Sequence, residues 1–127
     1  IYRGNLNVLE EVINILFYIA EADGNVSTSE LEMIENISSI FGLSQAQFKS
    51  IKESRKSSDK LNPYIVLESN PDDDIQKIRK KYIKLSKDHH PDLLISKGVP
   101  KEVIDESKRK MRAINSAWDQ VQKLKSN

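Results

Sequence analysis

The side chains best suited to chemistry lie in one short run, His89-His90-Pro91-Asp92. Two imidazoles and a carboxylate could bind a metal ion or transfer protons. The chain has only these 2 histidines and no cysteine, however, and Pro91 restricts how the side chains converge. No serine stands in a Gly-x-Ser-x-Gly context that would mark it as a nucleophile. We therefore expect no catalytic residue, no metal site and no cofactor.

A strongly basic stretch precedes this run. Residues 75–87 contain six basic residues and no acidic one. At helical spacing, the lysines 77, 80, 84 and 87 lie opposite an apolar stripe, and Arg79 flanks it. Like charges at i,i+4 repel one another by a few tenths of a kcal/mol per pair. Two interpretations follow: a binding face for an acidic partner, or a solvated lysine face.

The elements that carry these residues are predicted to be helices. Apolar residues recur at steps of three and four, and Ser27 to Glu30 and Ser44 to Gln47 are typical of capping boxes that start helices. No alternating strand pattern occurs, so the predicted fold class is all-α. Trp118 continues the apolar stripe of the last helix and is expected to pack against Ile78, Leu85 or Tyr64. A loop is expected from Pro91 to Pro100. The first predicted helix ends near Ala22. The predicted C-terminal helices are a short one from Pro63 to Leu67, one of about four turns that is marked by Ile75 to Leu85 and stops at His89-His90-Pro91, and a last one from about Pro100 to Lys125.

Charge divides the chain into two parts. Residues 1–56 hold five basic and eight acidic residues, whereas residues 57–127 hold fifteen and eleven. This asymmetry suggests two units with different partners. The polar stretch 56–62 between them is predicted to be a linker. No apolar run approaches the roughly 20 residues needed to span a bilayer.

The C-terminal part resembles a J domain, the module of DnaJ-type co-chaperones. Four motifs in the family's order carry the resemblance, across residues 61–125. They are Asn62-Pro63-Tyr64-Ile65-Val66-Leu67, the basic stretch Ile78 to Leu85, His90-Pro91-Asp92, and Ile114-Asn115-Ser116-Ala117-Trp118. The resemblance implies a J domain over residues 63–127, built on an antiparallel helical hairpin.

The stretch from His89 to Pro100 narrows the resemblance to the DjlA type of DnaJ-like co-chaperone, in which the J domain follows a TerB-like helical domain. Residues 5–53 resemble the second half of such a domain. Ala22-Asp23-Gly24-Asn25-Val26-Ser27, then Glu30 and Phe41-Gly42-Leu43-Ser44, carry this second likeness. The implied layout is a TerB-like segment at 1–55, the linker at 56–62 and the J domain at 63–127.

The resemblance implies a co-chaperone that stimulates ATP hydrolysis by a DnaK-type chaperone and is not itself an enzyme. Asp92 would engage arginines of that partner, while the basic residues would meet an acidic groove on it. The location implied is cytoplasmic, with any attachment to the cytoplasmic face of the membrane made outside this sequence. The implied partner-binding residues are His90, Pro91, Asp92, Arg79, Lys80, Tyr82 and Lys84.

Two alternatives stay open. One is a helical protein that binds nucleic acid through the basic helix, although the net charge of the whole chain is only +1. The other is a scaffold with a degenerate J domain. Ile83, where the family often has a basic residue, and Leu93, where one commonly follows the loop, favour the second alternative.

Overall fold

The computed structural model describes residues 6–126, and its regular elements are all helices, which confirms the all-α prediction. The stretch Leu6–Ser54 contributes three helices and the stretch Pro63–Lys125 contributes four. None of the helices in this described range is long and apolar enough to cross a membrane. The elements are α1 Leu6–Glu21, α2 Thr28–Ile40, α3 Gln45–Ser54, α4 Pro63–Val66, α5 Ile75–Asp88, α6 Asp92–Ile95 and α7 Lys101–Lys125.

The first three helices form one apolar core, and the predicted capping boxes start two of them. The Ser27 hydroxyl accepts from the Glu30 amide, and the Glu30 carboxylate accepts from the Ser27 amide. Ser44 and Gln47 make the same reciprocal pair at α3. These bonds satisfy amides that a helix start would otherwise leave unpaired. The core of this part consists of Ile13, Phe17, Ile34, Leu43, Phe48 and Ile51.

The α5 and α7 helices form an antiparallel hairpin, as predicted. Pairings along the two helices give the register: the Tyr82 hydroxyl donates to Asn115, and the Ser107 hydroxyl donates to the carbonyl of His89. The Asn62 side chain caps the short α4 helix, which packs against α7. The second core consists of Leu61, Val66, Leu67, Ile78, Leu85, Ala113, Ile114, Ala117 and Val121.

The loop predicted after Pro91 was only partly correct, because it contains the short helix α6, Asp92–Ile95. Pro91 has φ −57°, which suits a helix start, and Leu94 is buried. A helix of four residues is too short to show a helical repeat in the sequence, so its one buried residue, Leu94, does not indicate a helix there. The predicted turn is therefore immediately continued by a helical turn that begins at Asp92.

Trp118 packs at the edge of the second core, but its closest ring partner is Tyr82, which was not among the predicted partners. The two rings are stacked, with centroids 5.2 Å apart and planes 9° from parallel. The indole is half-buried. Its position on α7 faces the middle of α5, so the hairpin register places it over Tyr82.

The stretch predicted as a linker is more ordered in its contacts than its polar composition suggested. Leu61 is buried in the second core, and the Glu53 carboxylate accepts from the amide of Asn62 at 2.7 Å. The two cores also share direct helix contacts, with α7 packing on both α1 and α3. A domain boundary at 56–62 stays a prediction.

Candidate partner-binding site

The run His90-Pro91-Asp92 forms an exposed turn between α5 and α6. The helix α5 ends at Asp88, and the amide of Asp92 donates to the Nδ1 of His90 at 3.2 Å. The side chain of His90 is 55% exposed and that of Asp92 is 81% exposed. The turn therefore holds the backbone of Asp92 through His90 and leaves its carboxylate facing solvent, where it could accept hydrogen bonds from a partner.

The basic residues of α5 are exposed except for half-buried Lys81, and two of the lysines form ion pairs with aspartates. Lys77 pairs with Asp73 at 3.2 Å, and Lys84 pairs with Asp88 at 3.0 Å. The hydrogen bond that Lys84 donates to Asp88, together with the negative charge of Asp88, raises the pKa of Lys84. The stretch 75–87 itself contains no acidic residue, but Asp73 and Asp88 flank it, and each lies about one helical turn from the lysine with which it pairs.

Arg79 and Lys80 are the basic residues of the predicted binding set whose charges are least compensated by nearby carboxylates. Both are exposed, and neither forms an ion pair with a residue in the described part of the chain. They lie one turn or more from the paired Lys84 along the same helix. An acidic partner would find its least competed contacts at these two side chains.

Tyr82 has a packing role and also borders the surface. Its ring stacks on Trp118, and its hydroxyl donates to the Asn115 side chain at 3.0 Å. The other side of the residue lines an open, mostly apolar groove that runs to the turn. The groove is lined by Tyr82, Ile83, Ser86, Lys87 and His90.

His89 and His90 point in different directions, although they are adjacent in sequence. The His89 side chain is fully buried and lies 3.0 Å from Glu10 and 3.4 Å from Glu11. His90 is exposed and contacts Asp92. The described residues contain no group of three or more histidines and carboxylates placed to hold a metal ion.

The sequence analysis did not predict the buried polar cluster around Lys110. The ammonium group of Lys110 donates to the hydroxyls of Ser50 at 2.7 Å and Ser54 at 3.0 Å. Burial lowers the pKa of Lys110 to about 8, against the opposing charges of Glu10, Glu68 and Glu11. Burial also raises the pKa of Glu68, with Glu10 adding to the effect.

One signal in the sequence could have revealed this cluster. Glu10 falls on the same stripe as Ile13 and Phe17, and Lys110 falls on the stripe of Ser107 and Ile114. A charged residue inside an apolar stripe is costly unless it meets a partner of opposite charge. Neither Glu10 nor Lys110, taken alone, indicates which residue of opposite charge it meets.

A second set of charges joins the two parts of the chain. The Arg55 guanidinium lies 2.7 Å from Glu21 of α1 and 2.7 Å from Glu106 of α7. Burial opposes the charge on Arg55, but these two carboxylates outweigh it and raise its pKa. Arg109 donates to the carbonyl of Arg55 as well. The N-terminal and C-terminal helices therefore meet through ion pairs and hydrogen bonds in addition to apolar contacts.

Comparison with known proteins supports both resemblances. The family model described as tellurite resistance protein TerB matches residues 3–53. The co-chaperone protein DjlA of Vibrio parahaemolyticus is 24% identical over 151 aligned positions, which cover 96% of this chain and 53% of that protein. For DjlA of Escherichia coli K12 the identity is 25%, covering 96% of this chain and 54% of the relative.

A shorter alignment is closer in sequence. DjlA of Mannheimia succiniciproducens is 40% identical over 62 positions, which cover 49% of this chain and 22% of that protein. The chain spans about half the length of the curated relatives it matches over nearly its whole length. No solved structure matches it significantly. The chain is therefore DjlA-like over most of its length, and its residues 3–53 are TerB-like in sequence.

Proposed function

We propose that this chain is a J-domain co-chaperone that stimulates ATP hydrolysis by a DnaK-type chaperone. The observation that carries the proposal is the exposed His90-Pro91-Asp92 turn at the end of an antiparallel hairpin, beside the basic side of α5. The relatives that align with nearly the whole chain are named co-chaperones, which supports the same function. In this proposal the partner hydrolyses the ATP, so the chain needs no catalytic residue and no cofactor.

The roles of the residues follow from their exposure and contacts. Asp92 supplies a solvent-facing carboxylate that can accept paired hydrogen bonds from arginine, a strong and directional contact. His90 holds the amide of Asp92, and Pro91 restricts the backbone between them. Arg79 and Lys80 attract an acidic groove and orient the encounter, with Lys84 contributing less because Asp88 already pairs with it.

Tyr82 acts mainly through packing in this proposal. Its stack on Trp118 and its bond to Asn115 fix the middle of α5 against α7. The basic side chains of α5 and the turn then keep a constant spacing, which a partner contacting both requires. The proposed layout is the TerB-like segment at 1–55, the linker at 56–62 and the J domain at 63–127, acting in the cytoplasm.

The test is single-turnover ATP hydrolysis by a DnaK-type chaperone, with and without the 127-residue chain. We expect Asp92→Asn to abolish stimulation, because the amide cannot provide the negative charge that arginine recognises. Thermal unfolding should change little, since the side chain is exposed and substitutions at such sites usually alter stability by less than about 0.5 kcal/mol.

A matched control is Asp23→Asn, which removes an exposed carboxylate from the turn after α1. It should stimulate as the parent does. Equal stimulation by Asp92→Asn and the parent would contradict the proposed role of the turn. Absence of stimulation by the parent itself would contradict the proposed function.

A further inference from the structure

His89 directly precedes the turn and contacts helix α1 of the N-terminal part. Its imidazole is fully buried, with Nε2 3.0 Å from a Glu10 oxygen and Nδ1 3.4 Å from a Glu11 oxygen. The Glu10 contact has the distance of an ion pair without the alignment of a directed hydrogen bond. Both glutamates belong to α1, in the TerB-like part, and both are buried.

A cationic imidazole at His89 reduces the excess of negative charge that surrounds it. Glu10 and Glu11 face it from α1, Lys110 lies on α7, and Glu68 follows α4 with its carboxyl coupled to the same charges. One oxygen of Glu11 has no hydrogen-bond partner among the described residues. A neutral imidazole would leave these carboxylates with Lys110 as their only fully buried cation, since Lys81 is half-buried and Lys84 is exposed. That is costly in a poorly solvated site.

Asp88, Leu93 and Leu94 also lie near the imidazole. Asp88 is the neighbouring charge on α5 itself, and it pairs with Lys84 at the surface. On the side of α6 the small space around His89 is lined by Leu93 and Leu94, which carry no charge. The charge of His89 is therefore determined chiefly from α1 and α7.

The backbone of His89 is held as firmly as its side chain. Its amide donates to the carbonyl of Leu85 at 3.0 Å, which closes the last turn of α5. Its carbonyl accepts from the hydroxyl of Ser107 on α7 at 3.2 Å. Three helices therefore fix the residue from which the exposed turn departs, and α1 does so through two carboxylates.

We infer that His89 is a positioning residue for the His90-Pro91-Asp92 turn, and that Glu10 and Glu11 hold it there, so that the TerB-like part determines how the turn is presented to its partner. The inference rests on the proposed function of the turn. His89 itself does not contact the partner, because its side chain has no exposed surface.

The sign of the pH dependence follows from the contacts. Burial alone would lower the pKa of His89, but the carboxylates of Glu10 and Glu11 outweigh burial and raise it above its ordinary value. Protonated His89 then contributes its full stabilisation below the ordinary pKa, and the contribution is lost as pH rises through the raised one. The turn should loosen from α1 over that same interval.

The first experiment is an NMR pH titration of the 127-residue chain without any partner. In the parent, the amides of His90 and Asp92 should shift with the same midpoint as the ring of His89. In Glu10→Gln/Glu11→Gln the midpoint should fall, because the charges that favour the cation are removed while side-chain volume is kept. The control Glu32→Gln/Glu35→Gln on α2 changes the same number of charges and should leave the midpoint unchanged.

The second experiment is stimulated ATP hydrolysis by a DnaK-type chaperone across the same pH range. Parent stimulation should decline above the His89 midpoint. The double glutamine variant should stimulate at least about tenfold less at neutral pH, because a displacement of about 1 Å in a positioned group can cost up to a hundredfold. Circular dichroism confirms that each variant is folded.

The outcomes separate this inference from the proposed function. A parent that stimulates, together with a glutamine variant that has the same activity and pH profile, overturns the inference and leaves the function intact. A parent that does not stimulate overturns the function, and the NMR titration then judges the inference alone. If the double variant does not fold, the titration of the parent decides. The inference is then overturned if the chemical shifts of the His90 and Asp92 amides do not follow the titration of His89.

Discussion

At the scale of single residues, the two adjacent histidines at the turn have different environments. His90 faces solvent and holds the amide of Asp92, whereas His89 is buried against two glutamates. The difference arises because α5 ends between them, so the backbone of His89 still follows the helix and that of His90 does not. Identical side chains therefore have opposite environments, and only the outer one is available to a partner.

Trp118 gives a residue-scale test of the hairpin. We expect Trp118→Ala to lower the free energy of unfolding by about 3 kcal/mol, the lower end of the range for tryptophan truncation, because the indole is only half-buried. The loss combines apolar contact with the stack on Tyr82. Urea unfolding followed by circular dichroism measures it.

The control for this substitution lies on the same helix. Leu124 is 58% exposed, so Leu124→Ala should change the free energy of unfolding by less than about 0.5 kcal/mol. Tyr82→Phe keeps the stack and removes the bond to Asn115, which should cost about 1 kcal/mol. Equal unfolding midpoints for Trp118→Ala and the parent would mean that the hairpin register described here is incorrect.

At the scale of elements, α5 combines a buried stripe with a basic surface whose lysines are unequal. Lys77 and Lys84 are paired with aspartates that flank the basic stretch, while Arg79 and Lys80 are not paired within the described residues. Exposed ion pairs contribute little to stability but compete directly with an incoming acidic partner. Among the predicted binding residues, the least compensated charge of α5 therefore lies at Arg79 and Lys80 rather than at Lys84.

This inequality predicts which basic residues steer association. We expect Arg79→Glu/Lys80→Glu to slow association with a DnaK-type chaperone by roughly tenfold at low salt, since attraction between surface charges accelerates encounter. The variant should also lose most of the salt dependence, because salt screens exposed charges over about 8–10 Å. Stopped-flow association at several salt concentrations provides both measurements.

Lys49→Glu/Lys52→Glu on the exposed side of α3 is the matched control, because it produces the same change in net charge elsewhere. It should reduce the association rate much less. Rates that are independent of salt and equal in all three proteins would support the simpler interpretation of α5 as a solvated lysine face. Steeply salt-dependent binding to nonspecific duplex would instead favour nucleic-acid binding.

At the scale of the whole molecule, part of the charge asymmetry between the two halves is used internally. Glu10 and Glu11 of the acidic half face Lys110 and His89 of the basic half. Arg55 lies between Glu21 of α1 and Glu106 of α7. The junction is therefore rich in buried charge, and its stability should depend on pH in a way that a purely apolar junction would not.

Lys110 gives the test at this scale. Its pKa falls from an ordinary 10.5 to about 8 in the folded protein, mainly through burial. Between those two values the unfolded chain binds a proton that the folded chain does not, so stability rises with pH in that window. Lys110→Met lacks the titration, so the parent should gain up to about 3 kcal/mol of unfolding free energy relative to it.

Urea unfolding of both proteins at pH 7 and pH 10 measures this difference. The two hydroxyls that Lys110 contacts keep acceptors of their own in the variant, because Ser50 donates to the carbonyl of Val66 and Ser54 to that of Ser50. A parent and a variant whose stabilities change in parallel between the two pH values would show that Lys110 is not buried as described.

The sequence by itself determined what depends on neighbours along the chain. The capping boxes at Ser27 and Ser44 and the end of α5 before Pro91 follow from residues within one turn of each other. The all-α class followed in the same way. Caps, proline and helical periodicity act locally, so they can be read without knowing which helices meet.

Only the tertiary structure decided which charged residues are buried together. Glu10 and His89 are far apart in sequence, and nothing near either residue indicates the other. Likewise, the stack of Trp118 on Tyr82 depends on the register between α5 and α7. A buried charge is tolerated only where an opposite charge meets it, and that meeting is made by helix packing rather than by local sequence.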